Sequence, residues 1–571
     1  MTEGAAAQAS PSAPEKAGAG RSRGPVRARR LDWAVGGAVV LVCAVAQLAF
    51  LQGPHPFDPA KYFETAVYFP HVPLDLWTLR IGLVGLVYGA VLAFGPSEAS
   101  LYAVPLATGL VLAAAVYGTM LALFRERVSA AAAALVTVLS APYLLNASSI
   151  FPDTTATATF AAGFLCLVLG GEGLVDGGCA RRRDTAAVLA GVLFGFTYLV
   201  REFSPILLPA VAVGVVLLRY PRRRILLLAG GALATAALEL LYGALRSGNP
   251  FLHVQRLLDR TEAGALGAGE GRVEHIQSQL DGPLQTILVL PRLLLSWRSG
   301  WLLLLLLALF VAALVLTRDR RLWLLAAWCF GFWGVMAVVG LVSLPSGNWL
   351  ANVTNPRYWT PILPPLAMGA FGGLALLGER FLRPRLAVRL VPVAAAVLAL
   401  VTIVPALAEF RSCADRDGWR NEPRGQWVDL RSWFASPEAD RYGALWTDWR
   451  THRLVPAYTS TTFGRELWGG SIHAFLGLDA DPVPRAERAD AVILVHKDHL
   501  RRDVDDAAKG LAALRGTWAP ISTSDDGNTV VLAHVPPAQG DPGRWWRLSS
   551  VPGEAVEPGT CGTTPYEDRG A

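Results

Sequence analysis

The stretch WAVGGAVVLVCAVAQLAFL, residues 33–51, has no charged side chain. Its length is close to the roughly 20 residues that a helix needs to cross a lipid bilayer. Across the 571 residues, 53% are hydrophobic and only 17% are charged, which is too little charge for a soluble protein of this size. The sequence therefore predicts a polytopic α-helical membrane protein. Further apolar runs of similar length lie at 101–124, 128–145, 225–245, 301–317, 322–342 and 359–378.

The formal net charge of +6 is distributed as short arginine clusters between apolar runs, as at 181–183, 222–224 and 318–321. Such clusters orient a membrane protein with its basic loops in the cytoplasm, so nucleic acid is not an expected partner. The first 30 residues are rich in Ala, Gly, Ser and Pro and end in RSRGPVRARR. We expect residues 1–30 to be a disordered cytoplasmic tail. No small-residue cleavage site follows the first apolar run, which argues against a removed signal peptide.

The short apolar segment 81–95 decides the topology. If it lies along the membrane surface, the basic loops at 125–127, 181–183, 222–224, 318–321 and 379–385 all face the cytoplasm, and if it crosses, they all face outward. We therefore expect a juxtamembrane helix here, about 11 spans, a transmembrane domain over 31–408 and an extracytoplasmic domain over 409–571. The expected spans are 32–52, 101–124, 128–146, 154–171, 185–200, 203–219, 225–245, 300–317, 322–343, 359–378 and 386–408.

The C-terminal domain combines strand-like and helical patterns. The runs DAVILV (490–495) and TVVLAHV (529–535) read as strands, SDDGNT (524–529) as a turn between strands, and 503–515 as a helix. This combination predicts a small α/β domain. Cys413 and Cys561 are the two cysteines of this domain, and an extracytoplasmic location would allow them to pair or to stay free.

The expected topology brings unusual polar residues to the outer ends of the spans. Carboxylates there can act as general bases toward an acceptor hydroxyl, and arginine suits a phosphate because its fork pairs with phosphate oxygens. Within the outer loop 246–299, His253 and His275 are interpreted as solvated, alongside Asp259 and Asp281. The candidates at the span ends are Asp58, Glu64, Asp153, Arg201, Glu202, Arg357 and Tyr358.

A series of short motifs runs through residues 32–408 in a familiar order. The motifs are FDPAKYFETA (57–66), AFGPSEASL (93–101), SSIFPDTTATATF (148–160), LVREFSPILLPA (199–210) and NPRYWTPILPPLAMGA (355–370). Taken together, the series resembles the GT-C membrane glycosyltransferases, in the branch of the protein O-mannosyltransferases and the lipid A aminoarabinose transferase.

The resemblance implies an enzyme that takes a sugar from a polyprenyl-phosphate donor at the outer membrane surface. It implies that Asp58 is the catalytic aspartate and general base, that Asp153 belongs to the same site, and that Arg201 and Arg357 bind the donor phosphate, with Tyr358 beside them. Relatives generally need no metal, so no cofactor is expected, although two carboxylates can hold a divalent ion.

Many relatives carry two adjacent acids in the first outer loop, whereas this chain has Asp58 followed by Pro59. Either Glu64 supplies the second acid or the chemistry relies on Asp58 alone.

In the remainder of the loop, His71 and Arg80 are candidate phosphate ligands, and Tyr62 with Phe63 is expected to anchor an interfacial helix. Structural roles are the alternatives: helix capping for Asp58 and Asp153, and a mutual salt bridge for Arg201 and Glu202.

Three functions are compatible with this pattern. The first is transfer of a sugar to an outer protein, cell-wall glycan or lipid acceptor, in a multi-pass protein of the cell membrane. The second is a transporter or flippase, although no duplicated half or midplane polar cluster is evident. The third is a non-catalytic assembly protein of the cell envelope.

Overall fold

The computed structural model describes residues 24–53, 58–72, 74–75, 77–172, 179–202, 204–256, 283–343, 356–416, 424–475, 482–484, 487–496, 510–511, 513–525 and 527–535. Cys561, and with it the expected pairing to Cys413, lies outside these residues. The same is true of Asp259, His275 and Asp281, and of most of the helix expected at 503–515.

Helices form the whole N-terminal part of the described chain. The first, α1, begins at Gly24, within the segment expected to be a disordered tail. The helices are α1 (Gly24–Ala49), α2 (Asp58–Val67), α3 (Ile81–Phe94), α4 (Glu98–Phe124), α5 (Arg127–Leu139), α6 (Ala141–Ala147), α7 (Pro152–Gly170), α8 (Ala180–Val200), α9 (Leu208–Leu217), α10 (Arg222–Ser247), α11 (Pro283–Ile287), α12 (Val289–Leu295), α13 (Gly300–Thr317), α14 (Arg320–Ser343), α15 (Leu363–Phe381) and α16 (Pro384–Arg416).

Among the described residues, nine helices are long and apolar enough to cross a membrane, or ten if α5 and α6 form one bent span. The remaining expected span, 203–219, corresponds to the shorter apolar helix Ser204–Leu217. The polytopic helical fold predicted from the apolar runs is thus confirmed.

The expected straight span 128–146 is broken. The helices α5 and α6 meet at an angle of 60°. Pro142 lies in the first turn of α6, and proline has no N–H with which to continue the hydrogen bonds of the preceding helix. The break directs the chain toward Phe151 and the start of α7, where one of the site residues lies.

The segment between α1 and α4, which the sequence predicts to be the first outer loop, contains two short helices. Helix α3 has 14 residues, too few for an independent span, and it packs against α2, α4 and α8. The expectation that Tyr62 and Phe63 of α2 anchor it in the membrane interface was wrong, because both side chains are fully buried in the protein. They fix α2 by packing inward, against residues such as Leu83.

The C-terminal domain is built on a five-stranded sheet of order β2-β1-β3-β5-β4. The strands expected at 490–495 and 529–535 are β3 and β5, and the expected turn connects β4 to β5 as an antiparallel pair. Strands β1 and β2 were not predicted. The strands are β1 (Ala444–Asp448), β2 (Ser471–Phe475), β3 (Ala491–His496), β4 (Thr517–Thr523) and β5 (Thr529–Val535), preceded by α17 (Arg424–Phe434) and with α18 (Trp449–His452) and α19 (Val455–Tyr458) after β1.

This domain docks onto the end of the membrane domain that carries the first outer loop. Glu98, at the start of α4, accepts a hydrogen bond from Arg431 at 2.8 Å and one from the Thr462 hydroxyl at 3.3 Å. Gly95 and Gly464 approach closely, and both have positive φ, which favours glycine. One apolar cluster contains residues of both domains, so the sheet is held directly over the first loop.

Candidate active site

Asp58 is the first residue of α2, and its two oxygens bind groups that are distant in sequence. Oδ2 accepts a hydrogen bond from Nη2 of Arg357 at 2.8 Å, and Oδ1 accepts one from the indole of Trp77 at 3.3 Å. The Asp58 side chain is 26% exposed and Arg357 is 18% exposed, so this pair is open to a ligand.

Asp153 lies in the first turn of α7, directly after Phe151 and Pro152. Proline suits the first turn of a helix, and a carboxylate there interacts favourably with the helix dipole. Oδ1 of Asp153 lies 3.1 Å from Nε of Arg201, which follows the end of α8. Its Oδ2 lies 3.8 Å from Nε of Arg357. Asp153 is only 4% exposed, so its charge is balanced by these two guanidinium groups.

The four residues Asp58, Arg357, Asp153 and Arg201 therefore form one chain of alternating charges, here called the carboxylate–arginine network. Burial alone would lower the pKa of Arg201, but Asp153, together with Glu202 and Tyr358, outweighs it and the pKa lies above its usual value. The alternation keeps both arginines charged and in fixed positions.

Aromatic rings support both arginines. The Arg357 guanidinium lies 5.1 Å from the Phe151 ring centre, and it donates a hydrogen bond to the Tyr358 hydroxyl at 2.9 Å. Arg201 lies 4.8 Å from the centre of the Tyr358 ring. Contacts of this kind hold a guanidinium by its face and leave its edge for an anion.

A second buried group of charges lies beside the network. Glu202 accepts a hydrogen bond from Nε of Arg80 at 2.8 Å and a further one from Nη2, and Arg80 also donates to the Tyr62 hydroxyl. Burial opposes ionisation of Glu202, but Arg80 and Arg201 outweigh it and hold its pKa well below the usual value. Arg201 and Glu202 each form an ion pair with another residue, Arg201 with Asp153 and Glu202 with Arg80, and their charges also influence each other.

Two residues have positions that differ from those expected. Arg80 is buried and bound to Glu202 and Tyr62, which favours a structural role over phosphate binding. The expectation of a solvated His253 was wrong, because the residue is buried and its Nδ1 lies 2.5 Å from Glu239.

Glu64 lies away from the network, on another part of α2. It pairs with Lys61 at 2.9 Å and with Arg453 of the C-terminal domain at 3.3 Å. Burial opposes ionisation of Glu64, but His452, Lys61 and Arg453 outweigh it and lower its pKa. His71 is exposed, and its side chain forms no hydrogen bond or ion pair with any residue that the structure describes. The catalytic and phosphate-binding roles of these two residues stay predictions.

Several contributors were not found from the sequence. Trp77 contacts the network but lies in none of the quoted motifs, and Phe151 lies in SSIFPDTTATATF but was not singled out. Arg453 belongs to the C-terminal domain, for which the sequence indicated no role. Over the described ranges, no group of three His, Cys, Asp or Glu side chains is arranged to hold a metal ion.

No family model matches the sequence, and no curated protein sequence matches it. Solved structures do match. The chain is similar to ArnT from Cupriavidus metallidurans bound to undecaprenyl phosphate, with 13% identity and a TM-score of 0.53 over 89% of this chain and 99% of that one. The apo state of the same protein matches with 14% identity and a TM-score of 0.53, over 90% and 100%.

A further match is the archaeal oligosaccharyltransferase AglB from Archaeoglobus fulgidus in complex with an inhibitory peptide and a dolichol-phosphate. It has 13% identity and a TM-score of 0.44, over 90% of this chain and 76% of that one. The similarity to ArnT extends through the membrane domain into the C-terminal domain. The chain therefore has the fold of the GT-C membrane glycosyltransferases, as the resemblance of its motifs predicted.

Proposed function

We propose that this protein is a membrane glycosyltransferase that moves a sugar from a polyprenyl-phosphate donor to an acceptor on the extracytoplasmic face, with Asp58 as the general base. The observation that carries the proposal is the carboxylate–arginine network, in which residues from four separate segments meet beside an exposed carboxylate. A fold shared with a protein crystallised with undecaprenyl phosphate supports it.

The donor phosphate would bind Arg357 and Arg201. Both guanidinium groups lie against aromatic rings, and in the expected topology they are at the outer ends of helices, where a lipid phosphate would be held. The sugar acquires positive charge as its bond to phosphate breaks, and in this proposal Asp153 stabilises that charge while Arg357 stabilises the departing phosphate.

Exchange of partners would start the reaction. Arg357 donates a hydrogen bond to Asp58. A donor phosphate that takes over this hydrogen bond would make the Asp58 carboxylate more basic, because a neighbouring guanidinium favours the charged form of a carboxylate. Asp58 could then accept a proton, and the donor itself would switch on the base.

In the chemical step, the acceptor hydroxyl oxygen forms a bond to the anomeric carbon of the sugar, and its proton moves to Asp58. The bond between the anomeric carbon and the phosphate oxygen breaks, and polyprenyl phosphate leaves with the electron pair. Its negative charge is held by Arg357 and Arg201.

The test incubates purified full-length protein with polyprenyl-phosphate sugars that differ in the sugar and measures release of polyprenyl phosphate. Wild type is expected to release it, and Asp58→Asn is expected to be slower by about 10²- to 10⁴-fold, the usual contribution of a general base. The matched control is Asp319→Asn, an acid paired with Arg321 in the loop between α13 and α14.

Equal rates for wild type and Asp58→Asn would contradict the role of the base. Movement of intact donor across a vesicle membrane without release of polyprenyl phosphate would instead identify a flippase.

A further inference from the structure

The segment 449–453 of the C-terminal domain occupies a position where α/β sheets commonly bind ligands. Strand β1 lies between β2 and β3 and is parallel to both, so the chain leaves β1 toward one neighbour and later returns to the other. Such a switch point opens a crevice at the carboxyl end of the strand. Asp448 ends β1, and its carboxylate accepts hydrogen bonds from the N–H groups of Arg450 and Thr451 at 2.9 Å, which fixes the turn that follows.

Arg453 is held rigidly at this crevice. Its guanidinium lies 4.1 Å from the centre of the Trp449 ring, and its Nε lies 3.3 Å from Glu64 of the first outer loop. Within the part of the chain that the structure describes, its two terminal nitrogens have no hydrogen-bond or ion-pair partner. A planar fork fixed by a ring and one carboxylate is prepared for a two-point hydrogen bond to phosphate or carboxylate.

The acid beside Arg453 also serves other basic groups. Glu64 is shared by Arg453, Lys61 and His452, at 3.3, 2.9 and 3.8 Å. Burial lowers the pKa of Arg453 and the nearby charge of Arg450 adds to the lowering, whereas Glu64, Asp58 and Asp75 raise it, and the resulting pKa lies below the usual arginine value. Burial is the largest of these effects, and an anion bound directly to the guanidinium would offset it.

The crevice is separate from the network but close to it. Asp58 and Glu64 lie on the same short helix, six positions apart, which corresponds to about 9 Å of helix rise. Asp58 contacts Arg357 of the membrane domain, whereas Glu64 contacts Arg453 of the C-terminal domain. A molecule lying along α2 could reach both.

We propose that Arg453 binds an anionic group, phosphate or carboxylate, of the acceptor, a role that rests on the proposed glycosyl transfer at Asp58. The acceptor then carries its nucleophilic hydroxyl on the order of 10 Å from that group. The donor phosphate is a second source of the same chemistry, but it has its own guanidinium ligands in Arg201 and Arg357.

The experiment measures binding of glycerol 1-phosphate to the full-length protein in detergent by titration calorimetry, with glycerol as the neutral probe. Arg453→Gln is expected to weaken binding of glycerol 1-phosphate by about tenfold or more, because a charge-assisted two-point hydrogen bond is lost. Arg453→Lys should recover part of it. The matched control is Arg441→Gln, an exposed arginine near the amino end of β1, which should bind like wild type.

One further readout assigns the anion to its source. Glycerol 1-phosphate should still bind in the presence of saturating undecaprenyl phosphate, because the donor phosphate has its own proposed ligands in Arg201 and Arg357. Displacement by undecaprenyl phosphate, equal binding by Arg453→Gln, an equal loss in Arg441→Gln, or no binding by wild type would each overturn the proposal. Because binding is read without turnover, failure of the glycosyltransferase itself is a distinguishable result.

Discussion

Two buried groups of opposite charges lie side by side at one end of the membrane domain, and they are built differently. In the Arg80–Glu202 pair, each partner is about 3–4% exposed and the guanidinium binds the carboxylate with two nitrogens. In the carboxylate–arginine network, Arg357 is shared by two carboxylates, at 2.8 Å from Asp58 and 3.8 Å from Asp153. Adjacent residues, Arg201 and Glu202, belong one to each group.

This difference separates a structural ion pair from one that can exchange partners. Breaking a buried ion pair with full hydrogen bonding costs much free energy, so a ligand does not readily replace either partner. A partly exposed arginine that is shared by two carboxylates loses less free energy when an anion replaces one of them. Exposure increases from Asp153 to Arg357 to Asp58, so a ligand would enter from the Asp58 end.

The largest effect on catalysis is expected at Arg357, because it touches both carboxylates. Arg357→Gln should slow release of polyprenyl phosphate by about 10²- to 10³-fold, the scale of losing one charged partner in a buried hydrogen-bonded pair. Arg357→Lys should remain well below wild type, since an ammonium cannot reproduce the fork. The rate should be measured at saturating donor and compared with the melting temperature. A rate within twofold of wild type would show that the network does not take part.

The Arg80–Glu202 pair should respond in the opposite way. Arg80→Gln leaves Glu202 buried without its main partner and should cost about 3–5 kcal/mol of stability. The melting temperature in detergent should fall markedly, while the fraction that remains folded keeps a near-normal rate per molecule.

The double replacement Arg80→Gln with Glu202→Gln is the control for this prediction. Because it removes both charges together, it should be more stable than either single variant. A specific rate that falls as steeply in Arg80→Gln as in Arg357→Gln would contradict the distinction between the two groups.

Most of the helices and the four residues of the network could be predicted from the sequence, and the reasons are physical. Span length and apolarity are local properties, and Asp58, Asp153, Arg201 and Arg357 stand out because charges at span ends are costly unless they are used. The two groups could not be told apart, however. Arg80 and Glu202 are 122 positions apart and Asp58 and Arg357 are 299 apart, and no local pattern encodes which arginine meets which acid.

The same limit explains the structural surprises. The bend between α5 and α6 is local and is marked by Pro142, so it could have been predicted. The burial of Tyr62 and Phe63 could not, because it depends on α3 and on the C-terminal domain, which pack over α2 only after folding. The contact between Glu64 and Arg453 likewise joins two domains.

Lowering the pH should have a smaller and more gradual effect on the stability that the buried Arg80–Glu202 pair provides. The pKa of Glu202 is lowered in the folded protein, so its contribution to stability is complete above the unfolded value, about 4.3, and is lost as the pH falls below it. The melting temperature of wild type should therefore decline between about pH 5 and pH 3, and the decline should be shallower in Glu202→Gln. The pKa of Glu64 shifts in the same direction, so part of the slope should persist. Identical slopes in wild type and variant would mean that Glu202 is not the group that titrates.

The smallest effect is expected at the pair Asp319–Arg321, in which Asp319 lies in the loop between α13 and α14 and Arg321 lies in the first turn of α14. Its atoms are 2.8 Å apart and its side chains are 25% exposed, values close to those of Asp58 and Arg357, but the two residues are nearly adjacent in sequence and Arg321 has no second carboxylate as an ion-pair partner among the described residues. Solvent screens such a pair, and exposed ion pairs typically contribute about 0.2–1 kcal/mol. Asp319→Asn should therefore change neither the melting temperature by more than a degree or two nor the rate of polyprenyl phosphate release. A clear loss of activity would mean that a close ion pair is important for activity even when its arginine is not shared between two carboxylates, and the comparison between the network and the Arg80–Glu202 pair would lose its basis.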